Sequence, residues 1–301
     1  MTGNFNRPAG CRSQVRTTGK LVAENQPEGT DNGGALKIES PNAQQNRTPI
    51  ISVRNLTAGY GDQIIVRNVS FDVWAGEVFG ILGRSGCGKT TLFKAMIGLL
   101  KPMEGEIIID GDRVLTVTEG RSERVLRKIG VLFQSGALFS SMTVAENVAV
   151  PMRQYTTLPE GTMEQIVSMK LEAVGLETCE RLLPSELSGG MQKRAALARA
   201  MVLDPKILLF DEPSAGLDPV TSAGLDRTIL KIKESLGTTI VTVTHELPSI
   251  FAIADRVIML DPREGTVIAE GKPEDLRDNS DNARVRDFFL RSASGENGAG
   301  E

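Results

Sequence analysis

The pattern of apolar and polar positions changes character near residue 50. Before it, large apolar residues are sparse (Phe5, Val15, Leu21, Val22, Leu36, Ile38) among Gly, Pro, Asn, Gln and Thr. A segment that buries so little apolar surface cannot offset its ordering entropy, which predicts a disordered extension over residues 1–49. From Ile51 to Leu56, and again over Ile64–Val73, the chain alternates in the strand manner, and Gly76–Leu82 is an apolar strand. Further strands are predicted at Glu106–Asp110, Ile129–Phe133, Ile207–Phe210 and Thr238–Thr244, with Val257–Leu260 and Gly265–Glu270 as a hairpin. Helices are predicted at Lys89–Leu100 (closed by Lys101-Pro102), Gly189–Leu203, Pro219–Leu236 and Leu247–Ala254. Residues 135–187 lack strand pattern. Thr143–Tyr155 and Met163–Val174 read as helices there, making a helical insert. Strands alternating with helices argue an α/β fold with a parallel sheet wrapped by helices. The tail Asn282–Ser292 carries Val285, Phe288 and Phe289 at helical spacing, an amphipathic stripe expected to cover its own domain, with docking on a partner as the alternative.

Composition narrows the classes without choosing one. The chain has 301 residues, 40% apolar and 24% charged, with a net charge of −4. So weakly acidic a balance has no global electrostatic footprint for nucleic acid. Apolar runs are strand-sized, far short of the roughly 20 residues needed to cross a bilayer. If the protein moves something through a membrane, other chains must build the path. Cys11, Cys87 and Cys179 have no metal-ligand spacing, and a reducing compartment is expected. The first 23 residues carry Arg7, Arg12, Arg16 and Lys20 and no acid. That is faintly like a transit peptide, but a bacterial disordered extension is the preferred reading, and no secretory h-region occurs.

The chemistry concentrates where strands end. Gly83-Arg84-Ser85-Gly86-Cys87-Gly88-Lys89-Thr90 fits the P-loop pattern G-x-x-x-x-G-K-[ST], between a strand and a helix, and Thr91 continues it. Its glycines permit torsions that aim successive N–H groups at an anion, and the following helix adds its positive end. Lys89 supplies a point charge for phosphates and Thr90 a hydroxyl for Mg²⁺. Arg84 and Cys87, at variable positions, are expected to contribute backbone N–H groups. Asp211 ends an apolar strand, where a carboxylate can hold Mg²⁺. Glu212 is expected past the strand end, where the chain turns, as general base for an attacking water. His245, the single histidine, and Gln134 each follow a strand, at the edge where such sheets bind ligands. Ser188-Gly189-Gly190 caps a helix start whose N–H groups can meet an anion.

With Leu187-Ser188-Gly189-Gly190-Met191-Gln192 lying between the P-loop and the acidic strand, and Ser214–Asp218 after it, the set resembles the ATP-binding-cassette (ABC) family over roughly residues 51–271. The resemblance implies a P-loop cassette with a mostly parallel core sheet, an antiparallel β subdomain and a helical subdomain. The cassette is expected over residues 50–275, and a helical tail with a disordered end over 276–301. ATP and Mg²⁺ are the implied cofactors, with Thr90, Gln134 and Asp211 toward the metal and Glu212, His245, Gln134 and Lys89 in hydrolysis. By the same resemblance His245 touches the γ-phosphate, Gln134 senses it, and Tyr60 stacks on adenine. Ser188, Gly189 and Gly190 reach the ATP of a second copy, and Asp218 bridges to that copy's P-loop, so one chain alone cannot complete a site.

What the cassette drives is a matter of elimination and likeness. Gln134 to Ser188 is too short for the coiled coils of chromosome-type cassettes, and only one cassette is present, unlike the ribosome-associated type. A transporter ATPase working with separate permease chains remains. Phe133–Val148 and Phe210–Pro219 are similar to the ATPase of Mla/Mce-type phospholipid systems. That implies an Mce-type lipid-binding protein and a small regulatory subunit as further partners, at the cytoplasmic face of a bacterial inner membrane. The alternatives are an importer of another small solute, such as an amino acid, and a non-transport regulatory ATPase.

Overall fold

The computed structural model describes residues 48–294, apart from 117–118 and 121–122. The extension expected before residue 48 and the chain's last residues lie outside the described ones. The chain runs β1 (Ile51–Tyr60), β2 (Gln63–Val73), β3 (Val78–Leu82), α1 (Lys89–Met96), β4 (Glu104–Ile109), β5 (Asp112–Arg113) and α2 (Glu123–Lys128). Next come β6 (Ile129–Leu132), α3 (Val144–Tyr155), α4 (Glu160–Ala173), α5 (Gly189–Ala200), β7 (Ile207–Asp211) and α6 (Pro219–Leu236). The last third holds β8 (Thr239–Val243), α7 (Leu247–Ile253), β9 (Arg256–Leu260), β10 (Val267–Gly271), α8 (Pro273–Asn279) and α9 (Ala283–Ser294).

Two sheets result, one of order β2-β1-β4-β5 and one of order β10-β9-β3-β8-β7-β6. The first is antiparallel. The second is parallel except at its β10 edge. Every residue of β3, β7 and β8 is buried, as expected of central parallel strands covered on both faces. Alternation assigns the faces. Leu208 and Phe210 pack toward α3, α4, α5 and α6, whereas Ile207 and Leu209 pack toward α1 and the antiparallel sheet. The fold is therefore the α/β cassette architecture with β and helical subdomains.

Local departures from the sequence reading have local causes. α1 ends at Met96, not Leu100, because Gly98 turns into the left-handed region (φ 71°) and its N–H bonds back to the Ala95 carbonyl. α5 ends at Ala200, three residues short of the expected end, and Asp204 just beyond is left-handed (φ 48°). α2, α8 and the two-residue β5 are too short to show a period. The tail helix α9 packs on its own domain. Val285, Phe288 and Phe289 are buried with Leu247, Ile250 and Leu276, and the Phe251 and Phe289 rings lie 5.8 Å apart.

One close approach sets the depth of α5 against the sheet. A Cβ on Gly130 of β6 would lie 2.0 Å from the Ala200 carbonyl oxygen of α5. Backbone cannot yield there as a side-chain end can. Gly130→Ala is therefore expected to cost about 1–3 kcal/mol through overpacking, read as a lowered denaturation midpoint. A midpoint equal to wild type would show that α5 can slide on β6.

Candidate active site

Four strands that are immediate neighbours in the sheet, β3, β8, β7 and β6, end on the same edge. From β3 runs the P-loop, from β8 His245, from β7 Asp211 and Glu212, and from just beyond β6 Gln134. Parallel strands put all their C-terminal ends together, so this edge gathers segments distant in sequence. They open into a cleft of about 880 Å³ lined by Tyr60, Arg84, Ser85, Gly86, Gly88, Lys89, Thr90, Thr91, Gln134, Glu212 and His245.

The phosphate-sized end of the cleft is built by the P-loop. Gly83, Gly86 and Gly88 all hold positive φ (151°, 78° and 99°). A Cβ at Gly83 would also lie 2.4 Å from Cys87 Sγ and 2.7 Å from the Leu260 carbonyl, so this position requires glycine twice over. Gly88 is the N-cap of α1 and offers no side chain to its first N–H groups, which leaves them to an anion. Lys89 is buried, and its Nζ donates to the carbonyls of Gly83 (2.8 Å) and Arg84 (3.4 Å). Those two bonds hold the ammonium against the loop where phosphate oxygens would meet it. Cys87 faces inward, and burial pushes its thiol pKa up.

The opposite wall is acidic. Asp211 is the last residue of β7, and Glu212 lies past the strand at φ 48°, a sparsely populated region for a residue with a Cβ. This turn takes Glu212 into the cleft lining, while Asp211 stays buried at the same strand end. Asp211 Oδ1 is buried with no hydrogen-bond partner among the described residues. Burial, then the neighbouring Glu212, raises the Asp211 pKa, and Lys89, Lys94 and Lys193 only partly oppose this. An orphaned carboxylate oxygen in such a place fits a divalent cation, which would supply the missing charge and contact. Thr90 and Gln134 line the same cleft and have oxygens for such an ion.

Glu212 itself is held on all sides. Its N–H donates to the Val243 carbonyl (2.8 Å), Thr244 Oγ1 donates to Oε2 (3.1 Å), and His245 Nδ1 lies 2.9 Å from Oε1. An ionised carboxylate can only accept, so in that contact Nδ1 is the donor. The arrangement can take a proton from a water in the cleft through the carboxylate's remaining lone pairs. At the mouth, Tyr60 is half exposed, and Lys94 Nζ donates to its hydroxyl (3.3 Å) and lies 5.6 Å from the ring centre.

Seven of the residues singled out by sequence do not line this cleft: Gly83, Cys87 and Asp211 are buried beside residues that do, and Ser188, Gly189, Gly190 and Asp218 lie elsewhere. Ser188 caps α5, its Oγ accepting from Met191 N–H (3.3 Å). Asp218 caps α6, accepting from the N–H groups of Val220 and Thr221 and from the Thr221 hydroxyl. The Thr221 hydroxyl bond, then its backbone bond, lowers the Asp218 pKa. The two caps are neighbours, since a Cβ on Gly190 would lie 2.4 Å from Thr221 Cγ2. They form a second polar surface, exposed and apart from the P-loop.

Sequence reasoning missed Ile65, Asp287 and Phe288, which complete the lining, and Lys193, which lies beneath it. Asp287 and Phe288 belong to α9, read as a cover for its own domain or a docking surface, not as part of the cleft. Lys193 had a signal: it stands three and four residues before Ala196 and Leu197, on the same buried helix face.

The comparisons agree with this geometry. The family model described as ABC transporter matches residues 66–215. The chain is 43% identical over 246 residues to the intermembrane phospholipid transport system ATP-binding protein MlaF of Haemophilus influenzae, covering 82% of this chain and 92% of that protein. It is 41% identical to the probable ribonucleotide transport ATP-binding protein mkl of Mycobacterium leprae, covering 79% of this chain and 68% of that one. Among solved structures, the ATP-binding cassette MJ0796, a dimer in a post-hydrolysis state bound to ADP and Pi, superposes with a TM-score of 0.65 at 30% identity, covering 74% of this chain and 98% of that chain. From the P-loop cleft, the sheet order and these relatives together, the chain belongs to the ABC transporter family, as an ATP-binding subunit that hydrolyses ATP.

Proposed function

We propose that this chain powers phospholipid movement by separate membrane subunits, from the cytoplasmic face of a bacterial inner membrane. The observation that carries the ATPase part is the convergence of Lys89, Asp211, Glu212, Gln134 and His245 on one sheet edge. The substrate part is supported by the likeness to MlaF. No described helix is long and apolar enough to cross a membrane, so the conducting path would belong to a permease.

In this reading two copies bind two ATP molecules head to tail. Lys89 and the N–H groups of the P-loop hold the phosphates of one ATP, and Tyr60 stacks on its adenine. Ser188, Gly189 and Gly190 of the second copy approach the same γ-phosphate, and Asp218 meets the facing P-loop. The exposed surface formed by these two caps, apart from their own cleft, supports that division of labour. Thr90, Asp211 and Gln134 would hold Mg²⁺, which when bound neutralises charge on the phosphate oxygens. Glu212 takes the proton of the attacking water while His245 orients the carboxylate. An Mce-type lipid-binding protein and a small regulatory subunit complete the assembly.

The likeness to mkl, at nearly the same identity, favours a second reading in which another small solute is carried. One experiment separates them: affinity capture of the Glu212→Gln protein with ATP–Mg²⁺ from detergent-solubilised membranes, followed by mass spectrometry of proteins and lipids. A multi-span permease together with an Mce-type protein and bound phospholipid is expected. A permease with a soluble solute-binding protein would overturn the lipid reading and keep the transporter; soluble partners alone would overturn transport.

A further inference from the structure

Lys193 lies on α5 five residues after Ser188, and it is buried. Its Nζ donates to the carbonyl of Gln134 and, at 3.3 Å, to the carbonyl of Glu212. Burial pulls the ammonium's pKa down, while Glu246, Asp211 and Glu212 favour its charge. A buried cation is costly unless its donors are met, and here two of the three meet backbone oxygens just past β6 and β7. Fastening α5 to the sheet does not by itself require this. Arg199, further along α5, already donates to the carbonyls of Gly136 (2.7 Å) and Ala137 (2.8 Å).

What distinguishes Lys193 is the residue it grips. Glu212 sits at φ 48°, a conformation that persists only where the surroundings impose it. Its N–H is held by Val243 and its carboxylate by Thr244 and His245. Its carbonyl accepts from Lys193 Nζ (3.3 Å) and from Ala215 N–H (3.2 Å), and of the two only Lys193 also reaches Gln134. Without Lys193 only the local turn bond from Ala215 N–H remains on that carbonyl, so the peptide has more freedom to shift, and the carboxylate moves with it.

We propose that Lys193 is a positioning residue for hydrolysis: one ammonium ties the backbone of Gln134 to that of Glu212 and so sets where the Glu212 carboxylate points into the cleft. The proposal rests on the reading of Glu212 as the base. It has a consequence for coupling. A shift of the Gln134 segment reaches Glu212 through a single side chain, and the same helix begins at Ser188.

The test compares full-length wild type, Lys193→Met, Lys193→Arg and Glu212→Gln for MgATP affinity, KM, kcat and thermal midpoint. Met keeps the stem as far as Cε and removes the donors. Lys193→Met is expected to lower kcat about 30- to 100-fold with KM and affinity within about twofold, the pattern of a misplaced catalytic group. Lys193→Arg keeps charge and donors and is expected to recover kcat to within about tenfold of wild type. A Lys193→Met kcat within about threefold of wild type overturns the proposal, as does a parallel loss of affinity and kcat. Should Lys193→Met not fold, Lys193→Gln, one atom shorter with its N–H donors kept, replaces it under the same criteria with a smaller loss expected. If Glu212→Gln itself turns over normally, the base assignment fails and takes this proposal with it. If Glu212→Gln stalls while Lys193→Met does not, the Lys193 proposal alone fails.

Discussion

Glu212→Gln should lower kcat by about 10³-fold while leaving ATP affinity within a few-fold of wild type, because general-base contributions are of about this size. The two effects separate for a structural reason. An amide keeps the shape of the carboxylate and one acceptor oxygen, so Thr244 or His245 retains a partner and the φ 48° turn stays in place. What the amide cannot do is take the proton of the attacking water. The phosphate-binding groups belong to the P-loop and are untouched. Equilibrium binding of a fluorescent ATP analogue and single-turnover hydrolysis read the two quantities independently. The variant should also accumulate as an ATP-bound dimer, visible as a shift in size-exclusion elution. An equal loss in affinity and turnover would mean that Glu212 supports the cleft and does not act on water.

Lys89→Ala should act on binding instead. The ammonium is buried beside a nest of N–H groups and an uncapped helix start, where water competes poorly for phosphate charge. Removing one partner of such a charge-assisted contact is expected to cost about 3 kcal/mol, a rise in Kd of more than about 100-fold. Part of the effect on stability has another source. Lys89 also donates to the Gly83 and Arg84 carbonyls, so the loop loses two internal bonds and the thermal midpoint should fall slightly. Titration calorimetry with ATP at a temperature well below that midpoint isolates the binding loss. A Kd unchanged within about threefold would remove Lys89 from the phosphate site.

The site was legible wherever a motif states a local geometry. The P-loop spacing implies its own nest, because the glycine torsions and the helix start are local events. Glu212 could be placed past its strand because the four-residue apolar run Ile207–Phe210 has a definite end. Other residues escaped for equally definite reasons. Lys193 bonds to Gln134, 59 positions away, and a spacing of that length carries no period. Asp287 and Phe288 join the cleft only because α9 folds back on Leu247, Ile250 and Leu276. The helical stripe of α9 indicates that it must pack, and does not say on what.

By itself the sequence determined the types of the longer elements, the strand ends on which chemistry falls, and the cassette family. It did so because apolar period, glycine torsion and capping are properties of a few adjacent residues. Only the tertiary structure decided the strand order β3-β8-β7-β6, and with it that His245 lies 2.9 Å from Glu212, 33 residues away. Strand order follows from how β7 and its neighbours share the cores on the two faces of their sheet at once. Leu208 and Phe210 face one core, while Ile207 and Leu209 face the other. No stretch of chain holds that information alone.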